Sequence, residues 1–418
     1  MRYLLVLIDG LADLPQSELG GKTPLEAANT PAIDKLALAG RLGTIRTVPK
    51  GQAPETLAAL FTILGYPPGP YLTGRGYYEA LASGIVLADG EWAFRLQFVT
   101  VADGKIVDTR AGGLTDDEGA ALLKALEGHF NNPKLRFIKG HGHNHLLVVE
   151  GTDFEGSTTV NPFNVLNLPT AEGMPEGPGS EVLRKLIEDA PLVLAKHEIN
   201  RIRLDLKQNP ANAIWPWGGG TAVDVPGFQK TFGLEATLVS YSPLFRGVAV
   251  AAGIQVVAPG GAVIPRLADP SGRLKRVDVD NLESRASETE EIKRICDSTL
   301  SALKQDGLVM AHFSYPDEHS HRGDTPGKVK SIELIDRYFF KPVLKVLDKA
   351  TDVRLTVVPT LMSRVDNRQH DDRPVPFMMW GPGVESRSQL TLTEANAEGA
   401  GIKIDDGTRL IDYVMNGL

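Results

Sequence analysis

Cysteine is almost absent from this chain: Cys296 is the only one in 418 residues. A lone cysteine excludes an intrachain disulfide framework and matches the usage of a reducing compartment, so a cytoplasmic location is expected. Long apolar runs are missing too. The run Leu4–Ile8 is cut by Asp9, too short for a signal segment or a membrane span, so no membrane partner is expected. Positive charge is not in excess either, since 44 Lys and Arg against 52 Asp and Glu leave a formal charge of -8. That balance argues against a nucleic-acid partner. A phosphorylated ligand has to be met by local Arg and Lys inside a cleft. Repeats and low-complexity tracts are lacking. What remains, 42% hydrophobic and 23% charged residues, is an ordinary globular balance with chain enough for two lobes.

Tyr3–Ile8 reads as a buried parallel strand that ends at Asp9-Gly10, and Gly307–Phe313 and Val353–Val358 read the same way, running into Pro316-Asp317 and Pro359-Thr360. In open α/β sheets ligands gather outside the carboxyl ends of the strands, which makes Asp9 either a metal ligand or a turn-capping carboxylate. Apolar residues three and four apart predict helices over 30–39, 181–198, 288–304 and 328–349. The alternation of strands and helices implies a mostly parallel sheet covered on both faces. Between Tyr78 and Pro178 the texture changes to shorter strands, 92–101 and 145–149, around one helix over 116–126. This predicts a smaller inserted α+β domain at 78–178 within a core of 1–77 and 179–418, with the Gly- and Pro-rich stretch 169–179 as the return linker. Asp317 and His321 are four residues apart, and His370 follows on a later connection. One carboxylate oxygen and two imidazoles suit zinc, manganese or a related divalent ion. His319 and Glu318 of the same segment are alternative ligands or solvated side chains.

The motifs Asp9-Gly-Leu-Ala-Asp13, Leu19-Gly-Gly-Lys-Thr-Pro-Leu-Glu26, Leu64-Gly-Tyr66, Thr73-Gly-Arg-Gly76, Ala93-Phe-Arg95, Asp108-Thr-Arg-Ala-Gly112, Asn209–Gly218, Asp317-Glu318 with His321-Arg-Gly323, and Pro374-Val-Pro376 together resemble the archaeal-type cofactor-independent phosphoglycerate mutases. Their bacterial relatives proposed as homoserine kinases are more similar still. The resemblance covers nearly the whole chain. It implies an alkaline-phosphatase-like three-layer α/β/α core, and phosphoryl transfer through a hydroxyl nucleophile between two metal ions about 4 Å apart. By resemblance, one ion is held by Asp317, His321 and His370 and the other by Asp9, the nucleophile and an Asp-His pair. Arg95, Arg110, Asn200 and Arg203 are then the substrate-binding residues, and the ligand is a small phosphorylated or carboxylated metabolite. The resemblance leaves the oligomeric state open.

The sequence departs from that pattern at several points. The family's Pro-Gly-Ser-Asp nucleophile turn falls on Pro54-Glu55-Thr56-Leu57, so Thr56 takes the serine's place and Glu55 the glycine's. The second Asp-His pair falls on Thr360-Leu361, and leucine cannot bind metal. Arg373 stands where the family has an aspartate, and Asn144 and Phe163 stand where it has an arginine and a histidine. One divalent metal site is therefore expected intact and a second incomplete. Three readings stay open: a mutase or homoserine-kinase-like phosphotransferase using Thr56, a single-metal hydrolase, and an impaired relative that binds a metabolite or partner.

Overall fold

The computed structural model describes residues 1–261, 263–264, 286–305, 307–385 and 389–417. These form two compact units. The first comprises Met1–Leu72 and Val225–Leu418, and the second is the contiguous stretch Thr73–Asp224. In chain order the strands are β1 (Arg2–Ile8), β2 (Arg41–Ile45), β3 (Glu91–Ala102), β4 (Lys105–Asp108), β5 (Leu135–His141), β6 (Asn144–Glu150), β7 (Ala213–Gly220), β8 (Ala236–Val239), β9 (Gln255–Val257), β10 (Val263–Ile264), β11 (Gly307–Phe313), β12 (Val353–Val358), β13 (Met362–Ser363), β14 (His370–Asp371), β15 (Val375–Trp380) and β16 (Lys403–Ile404).

The first unit carries a nine-stranded sheet in the order β10-β9-β8-β11-β1-β12-β15-β2-β16. Its centre is parallel, β1 lying between β11 and β12 with β8 beyond. The partners β12–β15, β15–β2 and β9–β10 are antiparallel. The three central strands read as unbroken apolar runs because both of their faces are buried. Leu4, Val6 and Ile8 pack with Val309, Ala311 and Phe313 against helices Pro31–Leu38, Glu288–Ala302 and Thr325–Ile335. Alternate residues face the other way, where the Tyr3 hydroxyl donates to Met415 O and His312 stacks on Phe245 of helix Pro243–Ala251. Helices on both faces of a mostly parallel sheet give the three-layer alkaline-phosphatase-like core that the sequence implied. Cys296 is buried in this core.

The second unit is an antiparallel sheet in the order β4-β3-β6-β5, with β7 paired to β3. Helices Asp116–Phe130 and Ser180–Leu194 lay Leu122, Leu126, Leu183 and Leu186 onto Phe94, Leu96 and Phe98. This unit differs from the expected 78–178 at both ends. Residues 179–224 belong to it because the helix Ser180–Leu194 closes its core and β7 hydrogen-bonds along β3. The single helix expected over 181–198 stops at Leu194, and a new one, Glu198–Asp205, begins where His197 Nδ1 accepts from Ile199 N–H. The helix expected over 328–349 starts earlier, at Thr325, where Asp324 caps it, and passes through one wider turn at Asp336–Phe340. No helix among the described residues is long and apolar enough to cross a membrane.

Candidate metal centre

Beyond the carboxyl ends of β1, β11 and β12 come Asp9, Asp317 and Thr360 respectively, Asp317 in the helix that follows β11, where a doubly wound sheet presents its ligands. After β11 the chain turns directly into helix Tyr315–Arg322, with Pro316 in its first turn and Gly323 in the left-handed conformation at its end. This is the usual punctuation of a short helix. Asp317 and His321, four apart, therefore share one face. His370 arrives from β14, which pairs with β13 so that His370 lies opposite Ser363.

Ligand atoms of Asp317, His321 and His370 all lie within 4.8 Å of one another, and this is the only such trio among the described residues. His370 Nε2 is 3.1 Å from Asp317 Oδ1 and His321 Nε2 is 3.4 Å from Asp317 Oδ2. His321 Nδ1–H donates to Arg368 O at 2.9 Å, which fixes the orientation of the ring and turns its Nε2 toward the carboxylate. Ser363 Oγ–H donates to Asp317 Oδ1 at 2.5 Å. Burial alone would raise the pKa of Asp317, but the charges of His321 and His370 and their hydrogen bonds hold it well below the usual carboxylate range. An anionic oxygen and two oriented imidazoles, all half-buried, fit a divalent ion by their chemistry. His319 lies apart from the trio: its Nδ1 is 2.7 Å from Asp324 and its Nε2 3.7 Å from Glu288. Glu318 accepts from the Ser314 hydroxyl.

Asp9, expected at a second ion, is engaged elsewhere. Oδ2 accepts from His312 Nε2–H at 3.0 Å, and Oδ1 accepts from the Thr360 hydroxyl. His312 Nδ1 in turn lies 2.8 Å from Ser240 Oγ, which accepts from Ser242 N–H. Leu361 packs with Val48 and Ala59 in a small apolar cluster. A carboxylate satisfied by two protein donors and flanked by leucine does not fit a second divalent ion, which needs several free oxygen or nitrogen donors. Thr56 opens helix Thr56–Ile63, half-buried, with an exposed Glu55 just before it. Ala59 of the same helix touches the Leu361 cluster. Arg373 is mostly exposed and lies 3.4 Å from Asp371.

In the second unit, Arg95 donates to buried Glu79 at 2.7 Å and to Asn144 Oδ1 at 3.2 Å, over the face of Trp217. Arg75 shares the same Glu79 carboxylate, so two guanidinium groups meet one anion. Arg110 lies half-buried in the turn after β4, its backbone N–H held by Asp108. Asn200 and Arg203 are different. Asn200 exchanges hydrogen bonds with Ala211 and donates to Leu194 O. Arg203 donates to the carbonyls of Asn209, Ala111 and Gly112 and pairs with Glu118 at 2.8 Å. Both are spent inside the unit and hold its loops together.

Sequence reasoning missed Ser363, His312 and Lys328. Lys328 is wholly buried against Asp13, and the carboxylate of Glu394 accepts from Asp13 N–H and the Thr23 hydroxyl. Burial pushes Glu394 up to about 7 from its ordinary 4.5. Between those values the folded chain keeps a proton that the unfolded chain has released, so stability falls as pH rises through that window. At about 1.4 kcal/mol per pKa unit, the full loss is about 3 kcal/mol. Thermal unfolding measured from pH 4.5 to 7.5 is expected to show this slope in the wild type and a flatter one in Glu394→Gln.

Fold and trio together define an alkaline-phosphatase-like protein with a candidate divalent-metal centre at the mouth of a mostly parallel sheet. Residues 37–200 match the family model described as 2,3-bisphosphoglycerate-independent phosphoglycerate mutase. Enzymes of that name from Methanothrix thermoacetophila and Methanosarcina acetivorans are 32% and 33% identical to this chain. The alignments cover all of this chain and all of the former, and 91% of this chain and 90% of the latter. The chain belongs to the 2,3-bisphosphoglycerate-independent phosphoglycerate mutase family. Among solved structures, the PH0037 protein from Pyrococcus horikoshii is similar at 26% identity with a TM-score of 0.73, over 99% of this chain and 96% of that one. The cofactor-independent phosphoglycerate mutase from Thermoplasma acidophilum shares the fold at 23% identity and a TM-score of 0.55, over 99% and 98% of the two chains.

Proposed function

We propose that this protein moves a phosphoryl group between hydroxyls of a small phosphorylated acid such as phosphoglycerate, with one divalent ion and Thr56 as the transient acceptor. The observation that carries the reading is the Asp317-His321-His370 trio, complete with the hydrogen bonds that orient it. A manganese or zinc ion held by these residues supplies electrostatic stabilisation of charge on the phosphoryl oxygens. Thr56 stands in the first turn of its helix, where unpaired backbone N–H groups and the helix dipole favour an incoming phosphate. Its oxygen forms a bond to phosphorus as the substrate's ester P–O bond breaks, the hydroxyl proton passes to the departing oxygen, and the reverse steps return the group to a neighbouring hydroxyl. Arg95 and Arg110 are the proposed anion-binding groups of the second unit, since Arg75 and Arg95 together outnumber the single Glu79 charge. The engagement of Asp9 by His312 and Thr360 favours a second reading, a relative that binds the metabolite without turnover.

Phosphorus NMR of 3-phosphoglycerate incubated with the manganese-loaded protein separates the two. The expected result is conversion to 2-phosphoglycerate, lost in Thr56→Ala by at least a hundredfold with metal content unchanged and recovered in Thr56→Ser. Ligand-dependent thermal stabilisation without conversion supports the binding reading, and unchanged turnover in Thr56→Ala sinks the nucleophile.

A further inference from the structure

A buried lysine, Lys328, has no part in the chemistry above, yet its contacts lead to the ligands of the trio. Lys328 lies in helix Thr325–Ile335 with no exposed surface, and its ammonium group donates to Asp13 Oδ2 and to Ser363 O, both at 2.7 Å. Asp13 is equally buried, and its Oδ2 also accepts from Val365 N–H at 3.2 Å. Ser363 N–H donates to Ala12 O at 3.2 Å. Residues 363–365 are thus fastened to the segment that follows β1 by both backbone and charge. Ser363 then turns its hydroxyl to Asp317 Oδ1 and pairs along the strand with His370. Two of the three ligands therefore depend on where Lys328 holds one carbonyl.

We infer that Lys328 and Asp13 are positioning residues of the metal centre, setting through Ser363 the orientation of Asp317 and the placement of His370. A buried ion pair is a poor way to gain stability, because desolvation offsets most of the attraction. Groups that orient metal ligands, by contrast, typically change affinity by 10- to 100-fold. The inference rests on the trio being a metal centre, and the test separates the two.

The experiment is titration of the metal-free full chain with manganese alone, read by the electron spin resonance of the free ion, beside thermal unfolding without metal. The variants are Lys328→Met, Ser363→Ala, the double variant of these two, and the neutral pair Lys328→Met with Asp13→Asn. The neutral pair leaves no lone buried charge, so it is the variant expected to fold even if Lys328→Met does not. It should unfold within a few degrees of wild type yet bind manganese about tenfold or more weakly. Ser363→Ala should lose a similar factor. Because both act through one carbonyl and one hydroxyl, the double variant should lose less than the product of the two. Wild-type affinity in the folded neutral pair, or full additivity in the double variant, overturns the positioning role. Failure of the wild type to bind manganese overturns the metal-centre reading itself, and this inference with it.

Discussion

Asp317→Asn is expected to remove manganese binding altogether, and with it the thermal stabilisation that the wild type gains from the ion. Its carboxylate is the only anionic member of the trio and the group that both imidazoles approach. The amide keeps the shape but contributes one neutral oxygen and, on the other side, an N–H pair that points hydrogens at a cation. A ligand that binds only the folded chain stabilises it by about 2.7 kcal/mol when present at a hundred times its dissociation constant. The wild type should show that rise in thermal unfolding with manganese or zinc, and elemental analysis should find one ion per chain. Asp317→Asn should show neither, with its circular dichroism unchanged. An undiminished rise in the variant would mean that the ion binds elsewhere. The metal-free proteins should differ too. The carboxylate's depressed pKa contributes stability above the ordinary carboxylate range, and that contribution is lost as pH falls through the folded value. The asparagine variant lacks this loss.

Arg203→Ala carries the second large effect, on stability rather than on binding. The side chain is nearly inaccessible and offers its donors to three carbonyls and to Glu118. Truncation strands all four acceptors, and removing one partner of a buried charge pair costs about 3–5 kcal/mol. Glu118 is about a quarter exposed and recovers some hydration, so a loss of about 3 kcal/mol is expected. Hydrogen exchange across residues 108–118 and 200–212 would locate it in the second unit. If Arg203 served only a substrate, the variant would keep its stability within about 0.5 kcal/mol and raise KM instead.

These two residues show what the sequence made legible and what it did not. The strand ends were readable because buried parallel strands are long apolar runs, and Asp317 and His321 because a four-residue spacing places two side chains on one helical face. Arg203 looked like an anion-binding residue because motif spacing says nothing about which way a guanidinium points. Only the packing of the loop 108–112 beside it decides. The same blindness hid Lys328, whose partner is 315 positions away, and His312, which reads as one polar residue inside an apolar strand. The second unit's far boundary was missed because β7, with Pro216 and three glycines at its end, has little of the β-branched character that marks strands, and owes its place to β3. Thr360-Leu361 had already announced an altered second site; the structure adds that Asp9 has been given other partners.

The sheet order bears on how the polypeptide is made. β1 takes its two neighbours from residues 307–313 and 353–358, and β2 takes its antiparallel neighbour from residues 375–379. During synthesis the first strands to leave the ribosome therefore wait through several hundred residues before any sheet partner exists. The second unit is contiguous from Thr73 to Asp224 and can fold as it emerges, in keeping with the tendency of domains to fold as units. Throughout that interval the apolar run Leu4–Ile8 is a naked strand in search of a neighbour, the kind of segment that chaperones shield. The trio itself is complete only after translation of His370, and β2 gains its partners β15 and β16 later still.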